Sequence, residues 1–406
     1  MKFLSLAVVA CLTFTSFTDA AAPFYANNVR SQSITNSYIV VLKNHTAFDT
    51  FQPRFSNLVG RILNSRGRRN TKIISHFSTF PGFEAELDPV ALRSILNMPE
   101  VDYVEQDSLV HALGIQKSPP SWGLPRISQR KAVGTKKPYP SYQYPDTAGQ
   151  HVTVYVIDTG IDVKHPDFQG RAVFGKSYVF NGTTDDHGHG THVAGTIGGK
   201  KYGVAKKVNL VGVKVLDSAG SGSASNVVKA LDWVLSKVKK GEKAIVNMSL
   251  GGLESKAMSD ATKRLFNANI PVIVAAGNEY GDNPCKTAPA GSPGVFTVGA
   301  TDAKDQVADF SSLGSCVQIF APGDNIMSAG FVDHENKPRT YNSKLDLGTS
   351  MAAPHVAGVA ALYMSEDKKL KTAKQVYNKL KSTAIKGVVK GKLNKSSNLL
   401  VSYSAK

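Results

Sequence analysis

Cysteine is scarce in this chain, with three in 406 residues. Cys11 lies in an N-terminal apolar run, which leaves Cys285 and Cys316 as an even pair. So low a count excludes a disulfide-dense scaffold, and the spacing excludes a CxxC metal or redox motif. Long apolar runs are equally rare. Beyond the first twenty residues none approaches the roughly 20 apolar residues that a membrane helix needs, so no membrane anchor is expected. Acidic charge is in deficit, with a net charge of +17. The excess is uneven: residues 21–113 are nearly neutral, whereas residues 114–406 hold 38 Lys and Arg against 22 Asp and Glu. Its lysines fall in stretches such as "SKVKKGEK" and "EDKKLKTAK", which read as solvated helix faces and turns. No aromatic interleaving or recognised module accompanies them, so nucleic acid is not an expected partner. Attraction to acidic surfaces or acidic protein substrates is the reading that remains.

The opening "MKFLSLAVVACLTFTSFTDA" has a lysine, an apolar run and then small residues, the layout of a secretory signal peptide cleaved near Ala20. The product is expected to be secreted and extracellular, where Cys285 and Cys316 favour a disulfide over two isolated thiols. The remaining length suits one small and one large domain. From Ser37 to Asp107 the pattern is a small α+β module. "SYIVVLK", "FPGFEAELD" and "VDYVEQD" read as strands, and "FDTFQPRFSNLVGRILNSR" and the capped "DPVALRSILNMP" as helices, in a ferredoxin-like order. A linker is expected between Asp107 and Trp122. From His151 onward the runs "VTVYVI", "VNLVGVKVL", "AIVNMSL", "PVIVAA", "VFTVGA" and "VQIF" are too apolar for half-exposed strands. They predict a buried parallel sheet, with helices over Ser223–Lys240 and Met258–Asn267 among the connections. The expectation is an α/β fold, a three-layer, doubly wound domain whose chemistry sits at the carboxyl ends of the strands.

Asp158 follows the first of these strands, Asn278 the fourth, and "GG" the third. "DDHGHGTHVAGT" adds His187, His189 and His192. A metal cage is not expected, because the histidines lack an i, i+4 pair and no Cys or acidic set completes them. Asp185 and Asp186 would serve only a weak, open site. A base needs a nucleophile, and "GTSMAAPHVAGVAALYM" offers Ser350 at the start of an apolar helix, whose N-terminus directs N–H groups and positive potential beside it. Pro354 is expected in the first turn of that helix.

"VIDTGI", "HGTHVAGT", "NMSLGG", "AAGN" and "GTSMAAPHVAG" resemble the five signature blocks of the subtilisin-like serine proteases, in that family's order. "SWGLPRIS", "YGVAKKVNLVGVKVLD" and "SNLLVSY" are most similar to the proteinase K branch and its secreted fungal members, and "YIVVLK", "FPGFEAEL" and "VDYVEQD" to the family's inhibitory propeptide. The resemblance implies a signal peptide over 1–20, a propeptide over 21–113 and a peptidase domain over 114–406. It implies His189 as general base, Asp158 as its orienting carboxylate, Ser350 as nucleophile and Asn278 as oxyanion donor, with no catalytic cofactor. His192 is then structural, and His187 a partly solvated loop residue.

The resemblance implies that substrate lies along Gly222 in "GSGSAS" and between Ser249, Leu250 and Gly251 on one side and Ala275, Ala276 and Gly277 on the other. None of these is charged, so apolar or aromatic residues are expected before the cleaved bond. Ala224 stands where relatives often carry a tyrosine lid, which opens the distal pocket. Self-processing is expected at Leu113–Gly114, with the propeptide as a transient inhibitor of a monomeric enzyme acting on proteins and peptides. The relatives degrade host structural proteins such as keratin or cuticle, and the sequence does not select among them. A propeptide that stays bound in a latent complex, or a cationic surface-binding protein, are the rival readings. Sequons begin at Asn44, Asn181, Asn247 and Asn394, of which Asn247 is expected to be too buried for glycosylation. The family's tight calcium site includes a carboxylate where this chain has Gln318, so at most a weak structural calcium is expected.

Overall fold

The computed structural model describes residues 21–25, 33–43, 46–66, 71–77, 81–108, 113–179, 182–335 and 337–403. The signal-peptide residues, Asn44 and Asn181 lie outside them. The chain divides into two compact units, Met1–Val110 and His111–Lys406.

In the first unit the described elements are β1 (Phe24–Tyr25), β2 (Ser33–Leu42), α1 (Phe48–Arg66), β3 (Lys72–His76), β4 (Gly82–Glu86), α2 (Pro89–Leu96) and β5 (Val101–Ser108). The sheet runs β1-β5-β2-β4-β3. Without the edge strand β1, this is the ferredoxin-like order. Alternation decides which side chains enter the core: Tyr38, Val40 and Leu42 of β2 face Phe83 and Ala85 of β4 and the Phe51 and Phe55 rings of α1. Asp88 begins α2 by accepting the Val90 and Ala91 N–H groups at 2.7 and 2.9 Å, with Pro89 at the position that needs no donor.

The second unit contains β6 (Leu113–Gln116), α3 (Gly123–Arg126), β7 (Tyr142–Pro145), β8 (Val152–Asp158), β9 (Ala172–Ser177), α4 (His189–Gly198), β10 (Asn209–Lys214), α5 (Ala224–Lys237), β11 (Lys243–Met248), β12 (Gly252–Leu253) and α6 (Lys256–Asn267). There follow β13 (Val272–Ala275), β14 (Thr287–Ala288), β15 (Val295–Thr301), β16 (Val317–Pro322), β17 (Ile326–His334), β18 (Lys337–Asp346), α7 (Thr349–Glu366), α8 (Ala373–Thr383), β19 (Ile385–Lys386) and β20 (Leu399–Leu400). The main sheet has nine strands in the order β19-β20-β16-β15-β13-β11-β8-β10-β9. All neighbours are parallel except the antiparallel edge pair β19–β20.

Strand β8 shows why two helical layers are required. Val152, Val154 and Val156 point into one core, with Val193 and Ile197 of α4 and the apolar length of α7. Tyr155 and Ile157 point into the other, with Val227, Leu231 and Val234 of α5 and Met258 and Leu265 of α6. Both faces are buried, so the strand is continuously apolar. The expected helix over Ser223–Lys240 is α5, capped by the Ser223 hydroxyl, and that over Met258–Asn267 is α6, which starts two residues earlier.

Part of the expected linker lies among the described residues. Its residues Leu113–Gln116 form β6, antiparallel to β7. Beyond it the chain is anchored at α3, where the buried Arg126 guanidinium donates to both Asp305 oxygens, at 2.6 and 3.0 Å, and to the Gln129 carbonyl.

Candidate active site

Register places the carboxyl ends of the central strands side by side. Ile157 of β8 is level with Met248 of β11, and Met248 with Val274 of β13. The next residues, Asp158, Ser249 and Ala275, therefore share one edge of the sheet. Asp158 is fully buried, and its Oδ1 accepts the Thr159 N–H and the His189 Nδ1–H, both at 2.7 Å. That bond assigns the proton to Nδ1 and leaves Nε2 of His189 without one in the neutral ring. Burial opposes a charged His189, but the Asp158 carboxylate, aided by Asp346 and Asp185, outweighs it and holds the pKa above the ordinary histidine value.

The segment before His189 is built around Asp185. Its carboxylate is buried and accepts from the Thr159 hydroxyl, the His187, Gly188 and Thr191 N–H groups and the Thr191 hydroxyl. Gly188, at φ 96°, makes the turn into α4. Lys214, also buried, donates to the Thr159 and Leu216 carbonyls and to Asp186. Asp185 is thus fully engaged and Asp186 is paired with Lys214, and among the described residues no group of three or more His, Cys, Asp and Glu is arranged to hold a metal. His192 is buried and neutral, its pKa lowered by burial to about 4, and its Nε2–H points at the Ile326 and Lys344 carbonyls of the β17–β18 hairpin. His187 is exposed.

Ser350 is the second residue of α7, after Gly348 at φ 145°. Its hydroxyl donates to the Ser249 carbonyl at 3.2 Å. Asn278 Oδ1 accepts both the N–H and the hydroxyl of Thr349, at 2.8 and 2.9 Å, and Thr349 Oγ1 accepts the Gly277 N–H. Thr349 supplies only donors to Oδ1, so the Asn278 amide has one orientation, with Nδ2 turned away from Thr349. Pro354 is not in the first turn as expected. It is the sixth residue of α7, where a proline is tolerated only if the carbonyl it deprives finds another partner.

Gly222 is exposed where its backbone nears the Val215 carbonyl, too closely for a Cβ. Ser249, Ala275 and Ala276 are buried, Leu250 and Gly277 half-buried, and Gly251 exposed. Cys285 and Cys316 are bonded, with Cα atoms 5.5 Å apart, and tie the loop after Asn278 to the start of β16. Leu113–Gly114 is not at this edge: it lies within β6, with Leu113 opposite Pro145 and Gly114 opposite Tyr144. Asn394 is exposed, whereas Asn247 is wholly buried. Gln318 Oε1 accepts the Thr297 N–H at 2.8 Å.

The model of the subtilase family matches residues 149–401, a span that contains every one of these edge residues. The chain belongs to the subtilase family. A second family model, peptidase inhibitor I9, matches residues 37–113 of this subtilase, so the chain joins an inhibitor-type propeptide to a serine endopeptidase. Subtilisin-like protease 3 of Arthroderma otae is 41% identical over 387 residues, covering 93% of this chain and 94% of the relative. Subtilisin-like protease 6 of Arthroderma gypseum is 41% identical over 380 residues, covering 89% and 90%. These fungal relatives agree with the proteinase K branch. The crystal structure of a cold-adapted subtilisin-like serine proteinase matches with a TM-score of 0.62 and 41% identity, over 69% of this chain and 97% of that one.

Sequence reasoning missed several parts of this subtilase's edge. Arg339 on β18 donates to Asp162 at 2.7 Å and to the Asp185 carbonyl at 2.8 Å, while gripping Asp333 and stacking on Phe331. Asp162 is therefore engaged in an ion pair behind the His189 segment. Thr349, Lys214 and Arg339 make no local pattern. The one available signal was that a lysine closing an apolar strand needs a partner.

Proposed function

We propose that this subtilase is a secreted, self-processing serine endopeptidase in which Ser350 attacks the peptide carbonyl, His189 takes its proton and Asp158 holds the imidazole. The observation that carries the reading is the 2.7 Å bond from His189 Nδ1 to buried Asp158, at the edge where α7 presents Ser350. Asp158 stabilises the imidazolium formed on attack, and His189 Nε2 then returns the proton to the leaving amine. The Ser350 hydroxyl turns from the Ser249 carbonyl to reach the base. The tetrahedral oxyanion is met by Asn278 Nδ2 and by the Ser350 N–H, which the first turn of a helix leaves unbonded.

The uncharged set of Gly222, Ser249, Leu250, Gly251, Ala275, Ala276 and Gly277 supports an apolar or aromatic residue before the cleaved bond. Gly222 borders the edge to which an extended substrate adds as a strand. Proteins in general, including structural ones such as keratin, fall within that range. The enzyme works as a monomer without a catalytic cofactor, and Gln318, already bonded to the Thr297 N–H, supports at most a weak calcium site. Asn394 is the sequon that its exposure supports as glycosylated.

Processing at Leu113–Gly114 requires the 113–116 segment to be off β7 when it is cut. Replacement of Ser350 by Ala tests the whole reading. Hydrolysis of a peptide amide should fall by several orders of magnitude, and the product expressed alone should retain residues 21–113. A Ser350→Ala chain that still releases an N-terminus at Gly114, in the absence of other protease, refutes self-processing.

A further inference from the structure

A residue at position 354 of α7 would ordinarily donate its N–H to the carbonyl of residue 350. Pro354 has no N–H, so the helix withholds a partner from the carbonyl of Ser350 itself. That carbonyl is nevertheless bonded: the Ser249 hydroxyl donates to it at 2.8 Å. The direction is fixed from the other side, because Asn247 Nδ2 donates to Ser249 Oγ at 3.1 Å and occupies its acceptor side. The single hydroxyl hydrogen is then left for Ser350. Asn247 is wholly buried on the central strand β11, and Ser249 is only 3% exposed, so the donor has a rigid base. Ser249 also accepts the Ser350 hydroxyl through its own carbonyl, at 3.2 Å. The two serines are joined by two bonds of opposite direction, side chain to main chain each way.

We propose that Ser249, through its hydroxyl, is a positioning residue for the nucleophile, supplying from just beyond the end of β11 the hydrogen bond that Pro354 withholds from the Ser350 carbonyl. This rests on the reading of Ser350 as nucleophile. The proline and the serine act as one device: the first frees the carbonyl of the reacting residue from its own helix, and the second fixes it to the sheet that holds Asp158 and the substrate walls. Thus the first turn of α7 is referenced to the catalytic edge and not only to the helix behind it.

The test is a double-mutant cycle on the full chain, matured as in the parent, with Ser249→Ala and Pro354→Ala. The readouts are kcat and KM for a chromogenic peptide amide, the rate of inactivation by a serine-directed sulfonyl fluoride, and the melting temperature. One bond lost from the nucleophile's backbone should lower kcat and the inactivation rate about tenfold in Ser249→Ala, with KM within about twofold. The Pro354→Ala change gives the helix an N–H for the same carbonyl, so the double variant should lie within about threefold of Pro354→Ala alone. A Ser249→Ala enzyme keeping more than half of the parent kcat overturns the proposal. So does an equal loss with and without Pro354→Ala, which is what a purely structural role for Ser249 would give. If Ser249→Ala does not fold, Ser249→Thr, which keeps the hydroxyl, must be inactivated faster per titrated site than Ser249→Val, which has the same shape without it, or the proposal is wrong. Ser350→Ala run alongside separates the two readings: hydrolysis surviving in that variant removes the nucleophile assignment, whatever Ser249 does.

Discussion

Replacement of Asn278 gives the sharpest quantitative test of the active-site chemistry. Asn278 Oδ1 is held by two donors from Thr349, so the amide keeps its orientation without substrate and, on the proposed reading, offers its Nδ2 donor to the oxyanion at no reorganisation cost. Asn278→Ala removes that donor and leaves the Thr349 N–H and hydroxyl without their acceptor. The oxyanion share of the loss is set by what removal of the corresponding donor does in subtilisin itself, about 3 kcal/mol, or roughly 150-fold in kcat. Asn278 is exposed, so water reaches the vacated position and stability should change by less than about 1 kcal/mol. Asn278→Asp is the informative companion. One oxygen still accepts from Thr349, but the other turns an acceptor and a negative charge toward the developing oxyanion, so kcat should fall further than in the alanine variant. Steady-state kinetics on a peptide amide separate the terms: kcat falls and KM stays within about twofold, because the donor acts on the transition state and not on the bound substrate. If Asn278→Ala retains more than a third of the parent kcat, or if Asn278→Asp is the more active of the two, the oxyanion assignment is refuted.

With His189 as the proposed base, activity needs it neutral, and its pKa is raised, so kcat/KM should climb with pH through values above those of an ordinary histidine and stay high in alkali. Asp346→Asn removes one of the charges that raise it and should move the rising limb to lower pH; an unmoved limb contradicts that account. Cys285→Ser with Cys316→Ser opens a bridge across a separation of 31 residues, worth roughly 3 to 4 kcal/mol on the chain-entropy model. Spread over the unit His111–Lys406, that loss lowers the melting temperature by about 6 °C, measured in the Ser350→Ala background to prevent self-digestion, and a change under about 1 °C counts against it. Calcium titration should raise the melting temperature only at high concentration and equally in Gln318→Ala; a submicromolar effect abolished by that change would show that the amide is a ligand after all.

The central strands were legible because burial on both faces leaves runs such as "VTVYVI" almost no polar positions, and parallel strands of that kind have few other uses. The β17–β18 hairpin was not. Its strands carry Asp333, Lys337, Arg339 and Lys344 and have no run as apolar as those of the main sheet, and the bond from Arg339 to Asp162 joins residues 177 positions apart. The placement of Asp158, His189 and Ser350 was legible because each ends a recognisable strand or opens a helix. The residues that hold them were harder to see, because their partners lie far along the chain: Ser249 meets Ser350 across 101 positions, and Thr349 meets Asn278 across 71. Pro354 was misplaced for the same reason. Proline rules describe a helix in isolation, whereas the carbonyl it frees is satisfied by another strand.

The pairing of β6 with β7 has a consequence for the lifetime of the enzyme. An endopeptidase is surrounded by copies of itself, and with the proposed apolar preference the Leu113–Gly114 bond is a site they would accept. A protease binds its target as an extended strand with free edges, yet the main chain of Leu113–Gln116 is already engaged by Tyr142–Pro145. Gly114 also sits so near the Tyr144 ring that a Cβ there would collide with it. If processing cuts at Leu113–Gly114, as proposed, re-formation of this ladder by Gly114–Gln116 would withdraw the new N-terminus from further trimming, so that a single cut would define the start of the mature chain.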